Sequence, residues 1–139
     1  MKKKVSISIW LVTIIIIAGF ITWMVPSNFL KGIQSENIAM ISVRDGSTGN
    51  NFDIVNQEDI EFIVGEIQSQ SFKKDGISMF LMGTLYTMRF FDSNSKLIAE
   101  FILNSDDRIR KDPFFYKTSP ELNGLTEHIK NISDKDTRK

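Results

Sequence analysis

The sequence predicts an α+β protein in which an N-terminal transmembrane helix precedes a mainly antiparallel sheet with two helices packed on one face. Three observations lead to this fold class. An uncharged apolar run opens the chain, period-two strand patterns dominate its middle, and two amphipathic helix patterns flank those strands. With 139 residues, the chain has room for one ordinary domain beyond the apolar run.

The apolar run covers residues 5–25 and contains no charged residue. About 20 helical residues cross the ~30 Å hydrocarbon layer of a bilayer, so the run predicts a membrane-spanning signal-anchor. The basic end at residues 1–4 is expected in the cytoplasm by the positive-inside rule. We therefore predict a single-pass protein of the bacterial cell membrane, with the lipid bilayer as one partner and an extracytoplasmic C-terminal domain.

A cleaved signal peptide is the competing interpretation of the same run. The apolar region of a signal peptide spans about 7–15 residues and ends in small side chains. Here the run is longer, and residues 22–26 (TWMVP) are bulky where small residues are needed. The uncleaved anchor is therefore the prediction.

Composition divides the rest of the chain into a linker at residues 26–37, a domain at 38–132 and a charged tail at 133–139. The domain begins with strand patterns at residues 38–43 and 52–55, joined by a loop rich in turn-forming residues.

Two helices are predicted in the domain. Asn56 is a favourable N-cap for a helix over residues 57–70, and Ser119 with Pro120 opens a closing helix. The apolar stripes that face the core are Ile60, Ile63, Val64 and Ile67 in the first helix and Leu122, Leu125, Ile129 and Ile132 in the second.

The clearest strand pattern is a hairpin at residues 86–103, where apolar and polar residues alternate on both sides of a turn at 92–96. Two shorter strands follow at residues 108–110 and 114–116. Residues 77–83 (ISMFLMG) are apolar on both faces, which predicts a central strand. The alternative is an exposed apolar surface for a protein partner or the bilayer.

The lysine-plus-apolar start and the strand–turn–strand block at residues 86–103 together resemble a known class of bacterial proteins. These are the small single-pass, extracytoplasmic proteins of unknown function in Gram-positive bacteria. The resemblance concerns architecture, so it implies a place in the cell and no functional residue.

Composition also excludes several activities. The chain has no cysteine and a single histidine, His128, which excludes disulfides, cysteine nucleophiles and sites built from several His or Cys ligands. From residue 32 onward, 13 Lys and Arg stand against 17 Asp and Glu, and this net charge of −4 argues against nucleic-acid binding. We predict no catalytic, cofactor-binding or metal-binding residue and no cofactor.

Three features of the sequence are candidate sites. The loop at residues 45–53 is rich in oxygen but lacks the order of an EF-hand and the lysine of a phosphate loop, so a plain hairpin loop is favoured. Arg108, Arg110 and Lys111 form a basic cluster that suits anionic headgroups or a wall polymer, or else a solvated strand face paired with nearby aspartates. His128 is interpreted as a half-exposed helix residue near a helix C-terminus.

The function predicted from these observations is a membrane-tethered, non-enzymatic binding or interaction module that acts on a protein or cell-envelope partner. One alternative is a hydrolase of envelope material that uses only two carboxylates, such as Asp53 and Glu100. Others are an immunity or accessory protein for a toxin or transporter, and a ligand sensor without an output domain.

Overall fold

The computed structural model describes residues 2–79 and 83–136, and it describes the side chains of the first helix from residue 8 onward. Three α-helices and seven strands occur in this described part of the chain. Their bounds are α1 Lys2–Met24, β1 Met40–Asp45, β2 Asn51–Ile54, α2 Gln57–Ser69, β3 Ser71–Ile77, β4 Tyr86–Phe91, β5 Leu97–Ser105, β6 Arg108–Lys111, β7 Phe114–Ser119 and α3 Leu125–Asp136.

The seven described strands form a single antiparallel sheet in the order β2-β1-β4-β5-β6-β7-β3. Residues that pair directly across neighbouring strands share a face, so the register shows which side chains point together. One face is buried across the whole sheet, as the pairs Val43–Met88, Met88–Phe101 and Leu103–Ile109 illustrate. Both α2 and α3 pack on this face, and the other face has no helix over it in the described residues.

Two predicted elements are confirmed in detail. The hairpin of β4 and β5 pairs Tyr86 with Leu103 and Met88 with Phe101, and alternate residues are buried as expected. Helix α2 begins after Asn56, whose side chain accepts a hydrogen bond from the Asp59 backbone N–H at 3.1 Å. This cap satisfies one of the donors that the first turn of a helix leaves unpaired.

The predicted linker, residues 26–37, is packed into the domain. Leu30 is fully buried, and the Ser27 backbone exchanges hydrogen bonds of 2.7 and 3.1 Å with Phe72 of β3. The Asn28 amide donates to the backbone oxygens of Gln68 and Gln70 at the end of α2, at 3.0 and 3.3 Å. Through these contacts the segment becomes part of the core. It also pairs with part of the outer edge of β3 at Phe72.

The predicted start of the closing helix is wrong. Ser119 is the last residue of β7, paired with Ser71, and the helix begins only at Leu125. Its first turn is held by Asp106, whose carboxylate accepts from the Thr126 backbone N–H at 2.9 Å and from the Thr126 hydroxyl at 2.7 Å. The stabilising acceptor therefore comes from the β5–β6 turn, far away in sequence.

The prediction of a central strand at residues 77–83 is wrong as well. Ile77 ends β3, which is an edge strand, and its side chain is 60% exposed. Ser78 is buried and donates a 2.6 Å hydrogen bond to Asp112, whereas Met79 is exposed. The remaining apolar residues of the segment, 80–82, lie outside the described residues.

Helix α1 gives the main correction. In the described part of the chain, no helix has the length and apolar character needed to span a membrane. The predicted transmembrane signal-anchor at residues 5–25 is therefore wrong. The single-pass cell-membrane localisation, with a cytoplasmic N-terminus and an extracytoplasmic domain, is overturned by the same finding.

The C-terminal end of α1 contacts the sheet. The ring of Trp23 meets that of Phe114 edge-on, with 5.3 Å between centroids. Lys74 of β3 donates to the Thr22 backbone oxygen at 3.1 Å, and its ammonium lies over the rings of Trp23 and Phe114. Apolar side chains farther back along the helix, such as Ile15 at 69%, are exposed.

Candidate functional site

The uncovered face of the sheet, here called the open face, is the candidate functional site. Its members are the strand residues that alternate with the buried ones. Six of them are cationic: Arg44 on β1, Arg89 on β4, Arg108 and Arg110 on β6, Lys117 on β7 and Lys73 on β3. Only Asp53 and Glu100 are acidic among the strand residues that share this face by direct pairing in the described register.

Charge is therefore divided between the two sides of the sheet. The two helices on the covered side carry seven of the 17 acidic residues: Glu58, Asp59, Glu61 and Glu66 on α2, and Glu127, Asp134 and Asp136 on α3. The formal net charge of zero does not show this division, because acidic residues outnumber basic ones on these helices and the reverse holds on the open face.

A polar depression of about 390 Å³ lies on the open face over β2, β1 and β4, and it is here called the arginine depression. Pairing of Arg44 with Asn51 and Thr87, and of Ser42 with Arg89, places its lining side chains in adjacent rows. The lining is Ser42, Arg44, Asn51, Thr87 and Arg89. Two guanidinium groups, two hydroxyls and one amide thus surround a single concave surface.

Arg89 keeps much of its surface available. Its Nε lies 3.4 Å from Glu100 on β5, and the two side chains are 55% and 44% exposed. An exposed ion pair of this kind is worth about 0–1 kcal/mol, so an incoming carboxylate can compete for Arg89 at little cost.

A second cationic group lies at the other end of the open face, where Lys117 pairs directly with both Arg108 and Lys73. Like charges directly opposite each other destabilise a sheet. Arg108 is partly compensated by Asp75, with 2.7 Å between Nη2 and Oδ2, and its guanidinium also lies over the ring of Phe115.

The chain matches no model of a known protein family, no curated protein and no solved structure. What the open face does must therefore be argued from its own chemistry.

The two carboxylates considered for hydrolysis are not brought together. Asp53 and Glu100 occur in one row of the register, but Ser42 and Arg89 stand between them on β1 and β4. Three inter-strand steps of ~4.8 Å separate their backbones by about 14 Å. Glycosidases hold their two carboxyl groups about 5–9.5 Å apart, so this placement does not favour the hydrolase alternative.

His128 contacts a carboxylate that the sequence did not predict as its partner. Its Nε2 lies 2.9 Å from Oδ1 of Asp59 on α2, and its ring is tilted by 45° against that of Phe62 with 4.4 Å between centroids. His128 follows the first residues of α3, so its predicted place near a helix C-terminus is wrong. The contact joins the two helices on the covered side, away from the open face.

The basic cluster at residues 108–111 is divided among three partners. Arg108 pairs with Asp75, and Arg110 pairs with Asp112 at 2.7 Å. The ammonium of Lys111 lies 5.3 Å from the centroid of the Phe29 ring on the covered side. Only the two arginines therefore belong to the open face.

The loop at residues 45–53 is a hairpin connection between β1 and β2. The carboxylate of Asp45 accepts from the backbone N–H and hydroxyl of Ser47 at 2.7 and 2.6 Å, and from the Thr48 N–H at 3.3 Å. Burial alone would raise the pKa of Asp45, but these hydrogen bonds outweigh it and hold the pKa below its usual value. The oxygens of Asp45 are therefore used within the loop.

Two further carboxyl groups share this direction of shift. The hydroxyl of Ser105 is the main cause that lowers the pKa of Asp107, with help from the charges of Arg108 and Lys117. Arg110, and next Ser78, lower the pKa of Asp112 by hydrogen bonds. These groups stabilise the folded chain only in their ionised form.

We expect stability to fall in acid for this reason. A carboxyl group whose pKa is lower in the folded state contributes fully above its unfolded pKa, and the contribution disappears as the pH falls through the folded pKa. The free energy of unfolding, measured with urea between pH 6 and pH 2.5, should decrease below about pH 4. Asp45→Asn should be less stable than the wild type at pH 6, and the difference should shrink towards pH 2.5. A constant difference across that range would contradict the role given to Asp45.

Proposed function

We propose that this chain is a non-enzymatic binding module that takes up an acidic segment of a protein partner on the open face. The observation that carries the proposal is the gathering of six cationic side chains on a sheet face that no described helix covers, although Arg108 and Arg110 already pair with Asp75 and Asp112. Antiparallel sheets often leave one polar face in water, but such faces usually mix both signs of charge.

The arginine depression supplies the chemistry for a carboxylate. A guanidinium group presents several N–H donors in a planar fork that matches the two oxygens of a carboxylate. Arg44 and Arg89 line one depression, so two carboxylates, or one carboxylate held from both sides, fit the same surface. The hydroxyls of Ser42 and Thr87 add donors that rotate to suit the bound group.

The second cationic group, formed by Lys117, Arg108 and Lys73, would also be stabilised by an acidic ligand. Because Lys117 stands opposite both Arg108 and Lys73, an anion bound there relieves a repulsion that the free protein bears. The two cationic groups lie several strands apart, so one extended acidic segment running across the strands would reach both.

A protein segment suits the surface between the two cationic groups. Ile102 on β5 and Phe115 on β7 lie in the same row as Arg44 and Arg110, and both are half-buried. A partner with apolar side chains between acidic ones would cover these two residues. A uniform polyanion would leave them unmatched and would also meet Asp53 and Glu100.

The test uses a fluorescein-labelled peptide of six residues that alternates glutamate and leucine, with a peptide that alternates glutamine and leucine as the uncharged comparison. We expect the glutamate peptide alone to bind the full chain at low salt, and its affinity to fall as salt is added, because exposed charges are screened. Arg44→Glu with Arg89→Glu should weaken binding by more than tenfold in fluorescence anisotropy.

A matched control makes the same change of charge elsewhere. Lys96 in the β4–β5 turn and Lys130 on α3 are exposed and lie outside the open face. Lys96→Glu with Lys130→Glu should leave the affinity within about twofold of the wild type. This double change alters the overall electrostatic field of the protein but removes no charge from the open face. Equal losses in both double variants, or equal binding of the glutamine peptide, would refute the proposal.

A further inference from the structure

The edge strand β2 borders a groove whose other wall is the C-terminal half of α3. Two depressions of about 210 and 250 Å³ follow one another along this strand and share Asp136 in their linings. Ile54, Val55 and Ile132 give the first depression an apolar floor, and the Val55 side chain is 68% exposed. In the described part of the chain, no strand pairs with the outer edge of β2.

The backbone of β2 is able to accept another strand. Alternate residues of an antiparallel strand direct their N–H and C=O groups to opposite sides. The Asp45 N–H donates to the Asn50 oxygen at 2.9 Å, and the register continues through Val43–Phe52 and Ile41–Ile54. The backbone groups of Phe52 and Ile54 therefore face β1, and those of Asn51 and Asp53 face the groove.

The charge around the groove selects the ligand. Asp53, Asp59 and Asp136 line the first depression, against the single cation Lys135. The groove also runs beside the C-terminal end of α3, where the helix dipole favours positive charge. A second copy of the chain paired edge to edge through β2 would bring acidic groups together, so the charge favours a cationic partner instead.

We propose that β2 and α3 form a docking groove for an extended, cationic segment of a partner protein, which adds to the sheet as an eighth strand. Backbone hydrogen bonds to Asn51 and Asp53 would hold the segment, its alternate apolar side chains would enter the depressions, and its basic side chains would meet the acidic rim. This groove adjoins the arginine depression at Asn51, which lines both, and it takes a ligand of opposite charge.

The probe is a fluorescein-labelled pentapeptide that alternates lysine and valine, with a glutamate–valine pentapeptide of the same length as the comparison. Only the cationic pentapeptide should bind the full chain. Asp53→Pro removes the N–H that faces the groove, and it spares the hydrogen bonds to β1 because proline is tolerated on the outer side of an edge strand. We expect this variant to lose binding by more than tenfold.

The matched control is Asp53→Ala, which removes the charge and keeps the N–H. It should weaken binding by about twofold to fivefold, in line with one exposed charge. Binding of the pentapeptide to Asp53→Pro at wild-type strength, or equal binding of the glutamate–valine pentapeptide, would overturn the proposal.

Amide hydrogen exchange of the wild-type chain gives a second readout that does not depend on how the proline variant folds. The amides of Asn51 and Asp53 should exchange at least tenfold more slowly when the cationic pentapeptide is bound, whereas those of Phe52 and Ile54 are already protected. Unchanged exchange would overturn the proposal. Protection of Asn51 and Asp53 in the protein alone would do the same, because a second copy or the chain's own last residues would then occupy the edge.

Discussion

Phe72→Ala is expected to remove a large part of the stability of the domain. Phe72 is fully buried on β3, its ring packs on that of Phe29 with 4.9 Å between centroids, and its backbone bonds to Ser27. Truncating a buried phenylalanine costs about 3–5 kcal/mol, out of the 5–15 kcal/mol that holds a typical domain. For a domain of this size we expect the thermal midpoint to fall by roughly 12–20 °C in a calorimetric scan.

Phe62→Ala is the matched control for this change. Phe62 lies on α2 beside His128, and 37% of its surface is exposed. Its truncation leaves no closed cavity, so it should cost less than about 1.5 kcal/mol. Similar midpoints for the two variants would show that residues 26–37 and β3 contribute no more to the core than an exposed ring does.

The importance of Phe72 was not visible in the sequence, and the reason is physical. Strand β3 (SFKKDGI) contains four polar residues and a glycine, and it pairs with β7, whose residues lie 37 to 48 positions away. An edge strand with one covered face needs few apolar residues, so periodicity fails there. The hairpin of β4 and β5 was predictable because its strands are adjacent in sequence and alternate clearly.

Helix boundaries show the same division between local and distant causes. Asn56 directly precedes α2 and caps it, so the preference of asparagine for the N-cap position predicted this helix start. The first turn of α3 is instead held by Asp106, 20 residues before Thr126. Ser119 and Pro120 are residue types that favour a helix start, but Ser119 pairs with Ser71 as the last residue of β7. A rule based on neighbouring residues does not include such strand pairing or a cap from a distant loop.

The open face was partly encoded in the sequence. Arg89 occupies a polar position of the alternating hairpin strand, which indicates that its side chain points away from the core, whereas Arg44 lies one residue beyond the strand predicted at 38–43. That both arginines line one depression depends on the pairing of β1 with β4, which lie more than 40 residues apart. The sequence therefore indicates the direction of the Arg89 side chain, but neither the direction of Arg44 nor the contact of both with one depression.

Gly46→Ala is expected to produce the second large loss of stability. A methyl group at Gly46 would overlap the backbone carbonyl and the hydroxyl oxygen of Thr84, and backbone cannot move aside as a flexible side chain does. The Gly46 N–H also donates to the Leu85 oxygen at 2.8 Å, so any shift of the loop breaks this bond and disturbs the adjacent Asp45. Overpacking of this kind costs about 1–3 kcal/mol, which thermal unfolding would register as a fall of roughly 4–12 °C.

The same substitution at Gly65 should have the opposite sign. Gly65 lies inside α2, and a methyl group there meets no atom within 4 Å. Alanine is favoured over glycine by up to about 1 kcal/mol in a helix interior, so Gly65→Ala should raise the midpoint by a few degrees. Because the two variants add the same methyl group, a difference between them reports only on the surroundings. If Gly46→Ala also raised the thermal midpoint, the β1–β2 loop would not be packed against Thr84. The end of β1 beside the arginine depression would then not be held in place by this contact.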